Sequence, residues 1–232
     1  MTAGTLGLRV VPCSVRPSER TLRACAAFGI TLERAARTRP TLPTNGQRLA
    51  RLVARRLRRG GVALITGPSG CGKSSLLRLV RSALRAHGVA VVRATPIDAG
   101  AKPRAVLDLL GGSVEDALLA LGAAGLADAT LWPRTPGELS EGQRWRLGLA
   151  VAARRARPGS CVIADEFCSV LDRTTARCVA GTLARWAART PGALAVCATA
   201  HADLGSSLAP RLTVELGLDG RVRLLRGRRV TP

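Results

Sequence analysis

The chain has no tyrosine, two phenylalanines and three tryptophans, so stacking on an aromatic ring is open to few positions. Its two histidines, His87 and His201, and seven cysteines (13, 25, 71, 161, 168, 178 and 197) form no C-x-x-C pair. That leaves little from which to build a zinc framework, and free thiols in a reducing cytosol fit the pattern. No apolar run approaches the ~18 to 20 residues that a membrane-spanning helix needs. Arg9 and Pro12 break the only apolar stretch near the start, so neither a transmembrane segment nor a secretory signal is expected, and a cytoplasmic location is. Lysine is nearly absent too: Lys73 and Lys102 stand against a total of 36 Lys plus Arg.

What is abundant is arginine and apolar surface. With 232 residues, 47% of them apolar, the chain can bury a sizeable core and is not a disordered tail. The formal charge is +21, and it is concentrated at the ends. Residues 1–60 hold 13 Arg against Glu19 and Glu33, and residues 221–232 hold five Arg and no acid. Such a basic periphery fits a polyanion-facing surface, and it equally fits a solvated excess driven by composition.

Alternating apolar runs and helical spacing predict an α/β fold with a mainly parallel sheet flanked by helices. Residues 1–45 read as a basic N-terminal segment with a strand at Leu8–Val11, a helix at Glu19–Phe28 and a proline-punctuated stretch from Pro40 to Pro43; Phe28 reads as core. From Gln47 to Arg59, Leu49, Leu52, Val53 and Leu57 form one stripe of a basic amphipathic helix. One main domain is expected over 46–220, with a compact helical part at about 104–157, followed by a basic tail at 221–232. Strands are expected at Val62–Thr66, Val89–Arg93, 161–166 and Ala193–Thr199, and a closing hairpin at Arg211–Leu216 and Arg221–Leu225.

Between the first of these core strands and a helix stands Gly67-Pro68-Ser69-Gly70-Cys71-Gly72-Lys73-Ser74-Ser75, a complete G-x-x-x-x-G-K-[ST] motif. The glycines let successive N–H groups close around phosphate oxygens, Lys73 reaches the outer phosphates, and the Ser74 hydroxyl can ligate Mg²⁺. Cys71 reads as a small filler. The run Cys161-Val162-Ile163-Ala164-Asp165-Glu166 supplies the complement: Asp165 to serve Mg²⁺ and Glu166 to polarise the attacking water.

With three more elements in the same order, the chain resembles the ABC-type ATPases. Leu139-Ser140-Glu141-Gly142-Gln143 is similar to the LSGGQ signature, Ser169-Val170-Leu171-Asp172 to the segment after the catalytic glutamate, and the region at His201 to the switch histidine. The resemblance implies ATP and Mg as cofactors, a P-loop NTPase fold, and a head-to-tail homodimer that sandwiches ATP. Ser140, Gly142 and Gln143 of one chain would then cap the γ-phosphate bound to the other. It assigns Glu166 as general base, His201 as a γ-phosphate contact and Asp172 to communication across the dimer.

Three departures stand out. No tyrosine and only Phe28 precede the phosphate loop as adenine-stacking candidates. No glutamine lies between Gln47 and Gln143, so Thr95-Pro96-Ile97-Asp98 occupies the Q-loop place, with Asp98 as a polar substitute. Glu141 replaces a glycine of the signature. The segments at 124–129, 138–150 and 165–177 look closest to soluble ABC-type ATPases sometimes fused to a predicted acetyltransferase domain; here such a domain would have to be a separate polypeptide. The leading expectation is a soluble ATPase, with nucleic acid as a partner through its basic termini. The alternatives are an ATPase subunit docked on a membrane permease and a weakly hydrolysing nucleotide switch.

Overall fold

The computed structural model describes residues 9–13, 16–34, 45–57, 60–100 and 103–227. Leu8, the 40–43 stretch, Lys102 and the arginines at 58, 59, 228 and 229 lie outside the described residues. Contacts divide the chain into Met1–Thr41 and Leu42–Pro232. In the first unit, β1 (Arg9–Cys13) and β2 (Ile30–Arg34) pair in parallel and are joined by α1 (Glu19–Ala27). Ser18 caps α1 by accepting the Thr21 N–H at 3.3 Å. Helix α1 buries none of its residues, and Phe28 is 78% exposed rather than part of a core. The small and charged residues of α1, with Leu22 as its one large apolar side chain, offer too little apolar surface to enclose the ring.

The second unit carries a six-stranded sheet. Its strands are β3 (Gly61–Thr66), β4 (Val91–Ala94), β5 (Cys161–Ala164), β6 (Leu194–Thr199), β7 (Leu212–Leu216) and β8 (Val222–Arg226). They lie in the order β4-β5-β6-β3-β7-β8, parallel except for β8, which is antiparallel to β7. The sheet therefore extends into the basic C-terminal stretch. Strand β6 separates the glycine-loop strand β3 from the acid strand β5.

Both faces of the sheet's centre are covered, which is why β3, β5 and β6 are apolar almost throughout, whereas β7 alternates and the edge strands β4 and β8 carry arginine. Ala63 and Ile65 of β3 pack with α2 (Gly46–Leu57) and α3 (Lys73–Ala86) through Leu49, Val53, Leu57, Leu76, Val80 and Leu84. The alternate residues Val62 and Leu64 face α5 (Glu141–Arg155) and α6 (Arg173–Arg189) through Trp145, Leu149, Val179 and Leu183. Each fully buried leucine contributes roughly 1.5–3 kcal/mol. Helix α2 keeps Arg48, Arg51, Arg55 and Arg56 exposed around its buried stripe, as the spacing predicts.

A smaller cluster forms the helical part. Here α4 (Val114–Ala123) and a short 3₁₀ turn at Leu107–Leu109 bury Val106, Ala117 and Leu121 against Leu147 and Val151 of α5. Gly148 is what lets α5 approach the sheet edge, because a Cβ there would lie 1.8 Å from the Thr95 carbonyl oxygen. The last helix, α7 (Gly205–Leu208), packs beside α6.

Candidate nucleotide and magnesium site

The glycine loop leaves the C-terminal end of β3, where parallel strands open onto the N-terminus of α3. Gly67 has φ +148°, and a Cβ at this position would sit 2.2 Å from the Leu216 carbonyl oxygen and 2.8 Å from the Cys71 sulfur. Only glycine fits. Gly72, at φ +96°, turns the chain into α3 without a side-chain cap, leaving the first N–H groups of the helix for an oxyanion. Cys71 packs, half-buried, against the core cluster beneath the loop, in keeping with a filler. The Lys73 ammonium donates to the Gly67 and Pro68 carbonyls at 2.8 and 2.7 Å, bracing the loop from above.

At the base of the loop, the hydroxyl of Thr66 is buried without a hydrogen-bond partner. Thr66 stands in register with Thr199 at the end of β6, whose Oγ1 accepts the His201 N–H at 3.2 Å. His201 is thereby fixed just beyond the middle strand. Neither threonine figures in the sequence motifs; the only signal was a polar residue closing an otherwise apolar strand.

The acid pair follows β5 directly. Ser74 donates its hydroxyl to Asp165 Oδ1 at 3.0 Å, joining residues 91 positions apart, and the same oxygen accepts the Glu166 N–H at 3.1 Å. Hydroxyl and carboxylate oxygens so close form a hard donor set suited to Mg²⁺, which favours oxygen ligands and keeps several waters. Glu166 and Cys168 adopt φ +49° and +59°, unusual for side-chain-bearing residues and typical of functional turns. The turn is held by the Phe167 N–H, which donates to the Ala198 carbonyl at 2.8 Å, and by the fully buried Phe167 ring. Trp145 meets that ring edge-on, at a centroid distance of 5.4 Å.

Ser74, Asp165, Glu166 and Glu141 line one cavity of about 470 Å³, together with Thr95 and Pro96 of the Q-loop place. Asp98 is not among the lining residues; its carboxylate accepts the Gly100 N–H at 3.1 Å and stabilises its own turn. The polar contact expected of Asp98 is therefore not made in this cavity, which the segment reaches through Thr95 and Pro96 instead.

In the signature, Leu139 is buried and Ser140 caps α5. Ser140 Oγ accepts the Gln143 N–H at 3.2 Å, and Gln143 Oε1 accepts the Ser140 N–H at 2.8 Å. This capping box uses only acceptor oxygens, so the Ser140 O–H and the Gln143 amide N–H groups remain as donors. Asp172 caps α6 by accepting the Thr175 N–H at 2.9 Å. Hydrogen bonding to Thr175, through its side chain and its N–H, holds the Asp172 carboxyl below the usual aspartate range. Arg173 and Arg177 of α6 pair with Asp203, tying that helix to the segment after His201. Arg146, whose pKa is lowered by burial, donates to the Gly125 carbonyl at 2.6 Å and anchors α5 to the helical part.

The AAA ATPase domain family matches residues 45–181. The chain belongs to this AAA ATPase domain family. Solved structures share the fold of this AAA-family domain. One is a metal-chelate type ABC transporter in an inward-facing conformation, 21% identical, covering 75% of this chain and 76% of that one at a TM-score of 0.56. Another is the dimeric ATP-binding cassette MJ0796 in a post-hydrolysis state bound to ADP and Pi, 19% identical, covering 73% and 87% at 0.54. A third is the ADP conformation of the cassette MJ1267, 20% identical, covering 73% and 81% at 0.56. These likenesses establish an ABC ATPase-like P-loop fold for this AAA-family chain. No curated protein matches it. Among the described residues, no helix is long and apolar enough to cross a membrane.

Proposed function

We propose that this chain binds and hydrolyses Mg-ATP, and that two copies sandwich two nucleotides head to tail. The observation that carries the reading is the hydrogen bond between Ser74 and Asp165, which unites the anion cradle and the acid pair around one point. Magnesium held there by Ser74 and Asp165 would neutralise charge on the phosphate oxygens. The loop N–H groups and Lys73 hold the triphosphate, and the strained turn presents Glu166 to accept a proton from the attacking water. His201, fixed at the end of β6, contacts the γ-phosphate. The free donors of Ser140 and Gln143 suit the γ-phosphate bound to a second copy, so hydrolysis depends on assembly. Asp172 carries that dependence across the dimer.

The reading extends to nucleic acid as the partner of the basic ends. Support for this is the charge distribution, together with the arginines that α2 leaves exposed. A separate acetyltransferase and a membrane permease are the competing partners, and the ABC transporter neighbours share with this chain the fold alone.

Phosphate release from ATP tests the core of the proposal. Glu166→Gln should slow it about 10²-fold or more, and mixing Glu166→Gln chains with Ser140→Arg chains should restore part of the activity. Equal rates for native and Glu166→Gln chains remove Glu166 as the base; no restoration on mixing removes the shared site. A salt series of DNA and RNA binding decides the partner, since several arginine contacts require a steep log-log slope.

A further inference from the structure

The cavity beside the acid pair holds more positive charge than ATP chemistry has yet used. Arg78 and Arg81 on α3 and Arg93 on the edge strand β4 line it together with Ser74, Asp165 and Glu166. Residues 74, 78 and 81 recur at i, i+4 and i+7, so the two helix arginines continue the stripe that begins with the Ser74 hydroxyl. On β4, Val92 and Ala94 pack with the α5–α6 face of the sheet and Val91 with the α3 face. The alternation places Arg93 on the α3 side, facing the same concavity.

None of these guanidinium groups has a counter-anion. Arg78 donates to the Ser74 carbonyl at 3.3 Å and to Ser75 Oγ at 3.1 Å, both neutral acceptors. Arg81 and Arg93 have neither a hydrogen-bond nor an ion-pair partner among the described residues. Glu141, Asp165 and Glu166 line the same cavity, but no ion pair links any of them to an arginine, and Asp165 is engaged by Ser74 and the Glu166 N–H. Arginines that have no paired carboxylate yet converge on one cavity offer donors to an anion, and planar guanidinium forks match the oxygens of a phosphate. A phosphate is small beside about 470 Å³, leaving room for its waters.

We propose that Arg78, Arg81 and Arg93 form a second phosphate site, distinct from the glycine-loop cradle, that receives an inorganic phosphate dianion. Two sources offer this ligand: solution, or the phosphate cleaved from ATP. The second source rests on the function proposed above. In a sandwich dimer the partner's signature would close the front of the site, and this arginine-lined cavity would be the route outward.

Calorimetric titration of inorganic phosphate tests the site. With the cradle filled by magnesium and a non-cleavable ATP analogue, the native chain should bind one phosphate, and Arg81→Gln/Arg93→Gln should bind it at least tenfold more weakly. In nucleotide-free protein, a Lys73→Ala chain should still bind phosphate and lose it when the two glutamines are added. That arm decides the question even if the analogue fails to bind, an outcome that would overturn the ATPase reading alone. Absence of phosphate binding in the filled native chain, or equal affinity in the glutamine variant, overturns the second site. Single-turnover assays separate the sources. Cleavage at the native rate with release slowed several-fold in the variant identifies cleaved phosphate; coincident cleavage and release identify phosphate from solution.

Discussion

The indole of Trp145 stands edge to face on the ring of Phe167, with centroids 5.4 Å apart and planes at 73°. Trp145 lies in the second turn of the signature helix, and Phe167 is the residue after Glu166. A movement of α5 is therefore felt at the turn that carries Glu166 through one aromatic contact, of a kind worth ~0.5–1.5 kcal/mol beyond buried area. Removing the ring should do two things. Phe167→Ala should cost ~3–5 kcal/mol in urea unfolding. Phe167→Leu should stay folded but lose up to about 10²-fold in kcat with a smaller change in KM, as steady-state ATPase assays would show.

The contact between Gly148 and Thr95 makes a second prediction. A methyl placed 1.8 Å from the Thr95 carbonyl oxygen must push α5 away from the sheet edge. Gly148→Ala should destabilise the fold by ~1–3 kcal/mol despite alanine's better helix propensity. Denaturant midpoints check it, and a stabilised variant would contradict the packing.

Thiol chemistry should divide by depth. Burial pushes the Cys161 and Cys168 thiols up to about 12 and that of Cys197 well above its ordinary value, so none forms thiolate near neutrality. Iodoacetamide at pH 8 should modify exposed Cys178 and half-buried Cys25 and Cys71, sparing the three buried thiols until the chain unfolds. Peptide mapping reads the pattern, and Mg-ATP should slow labelling of Cys71 alone.

The Asp172 cap sets a pH dependence. Its carboxyl is held below the ordinary value in the folded chain, so its stabilisation is present above the unfolded pKa of about 3.9 and is lost as pH falls through the lower folded value. The stability gap between native and Asp172→Ala chains should be constant from about pH 5 to 7 and narrow on acidification. Melting curves across that range measure it, and a gap that widened in acid would refute the cap.

Strand, glycine loop and helix were legible because each depends on local chemistry: an apolar run, glycines that tolerate positive φ, then helical spacing. The observed β3 and α3 agree with the expected Val62–Thr66 strand and the following helix within a few residues. The pairing of Ser74 with Asp165 followed from the motifs together. The place of β6 did not, since its apolar sequence suits any central position of a parallel sheet. Asp98 misled because an acid in a turn more often satisfies its own backbone. Phe28 misled because burial depends on what the neighbours can cover. Arg81 and Arg93 were invisible among so many arginines until the fold brought them together.

The interposed strand also orders events in time. The cradle is synthesised before the acids, yet the strand that seats Phe167 and spaces β3 from β5 is complete only at Thr199. A nascent chain on the ribosome can therefore set the acid strand at its final distance from the cradle strand only after Thr199 has been translated.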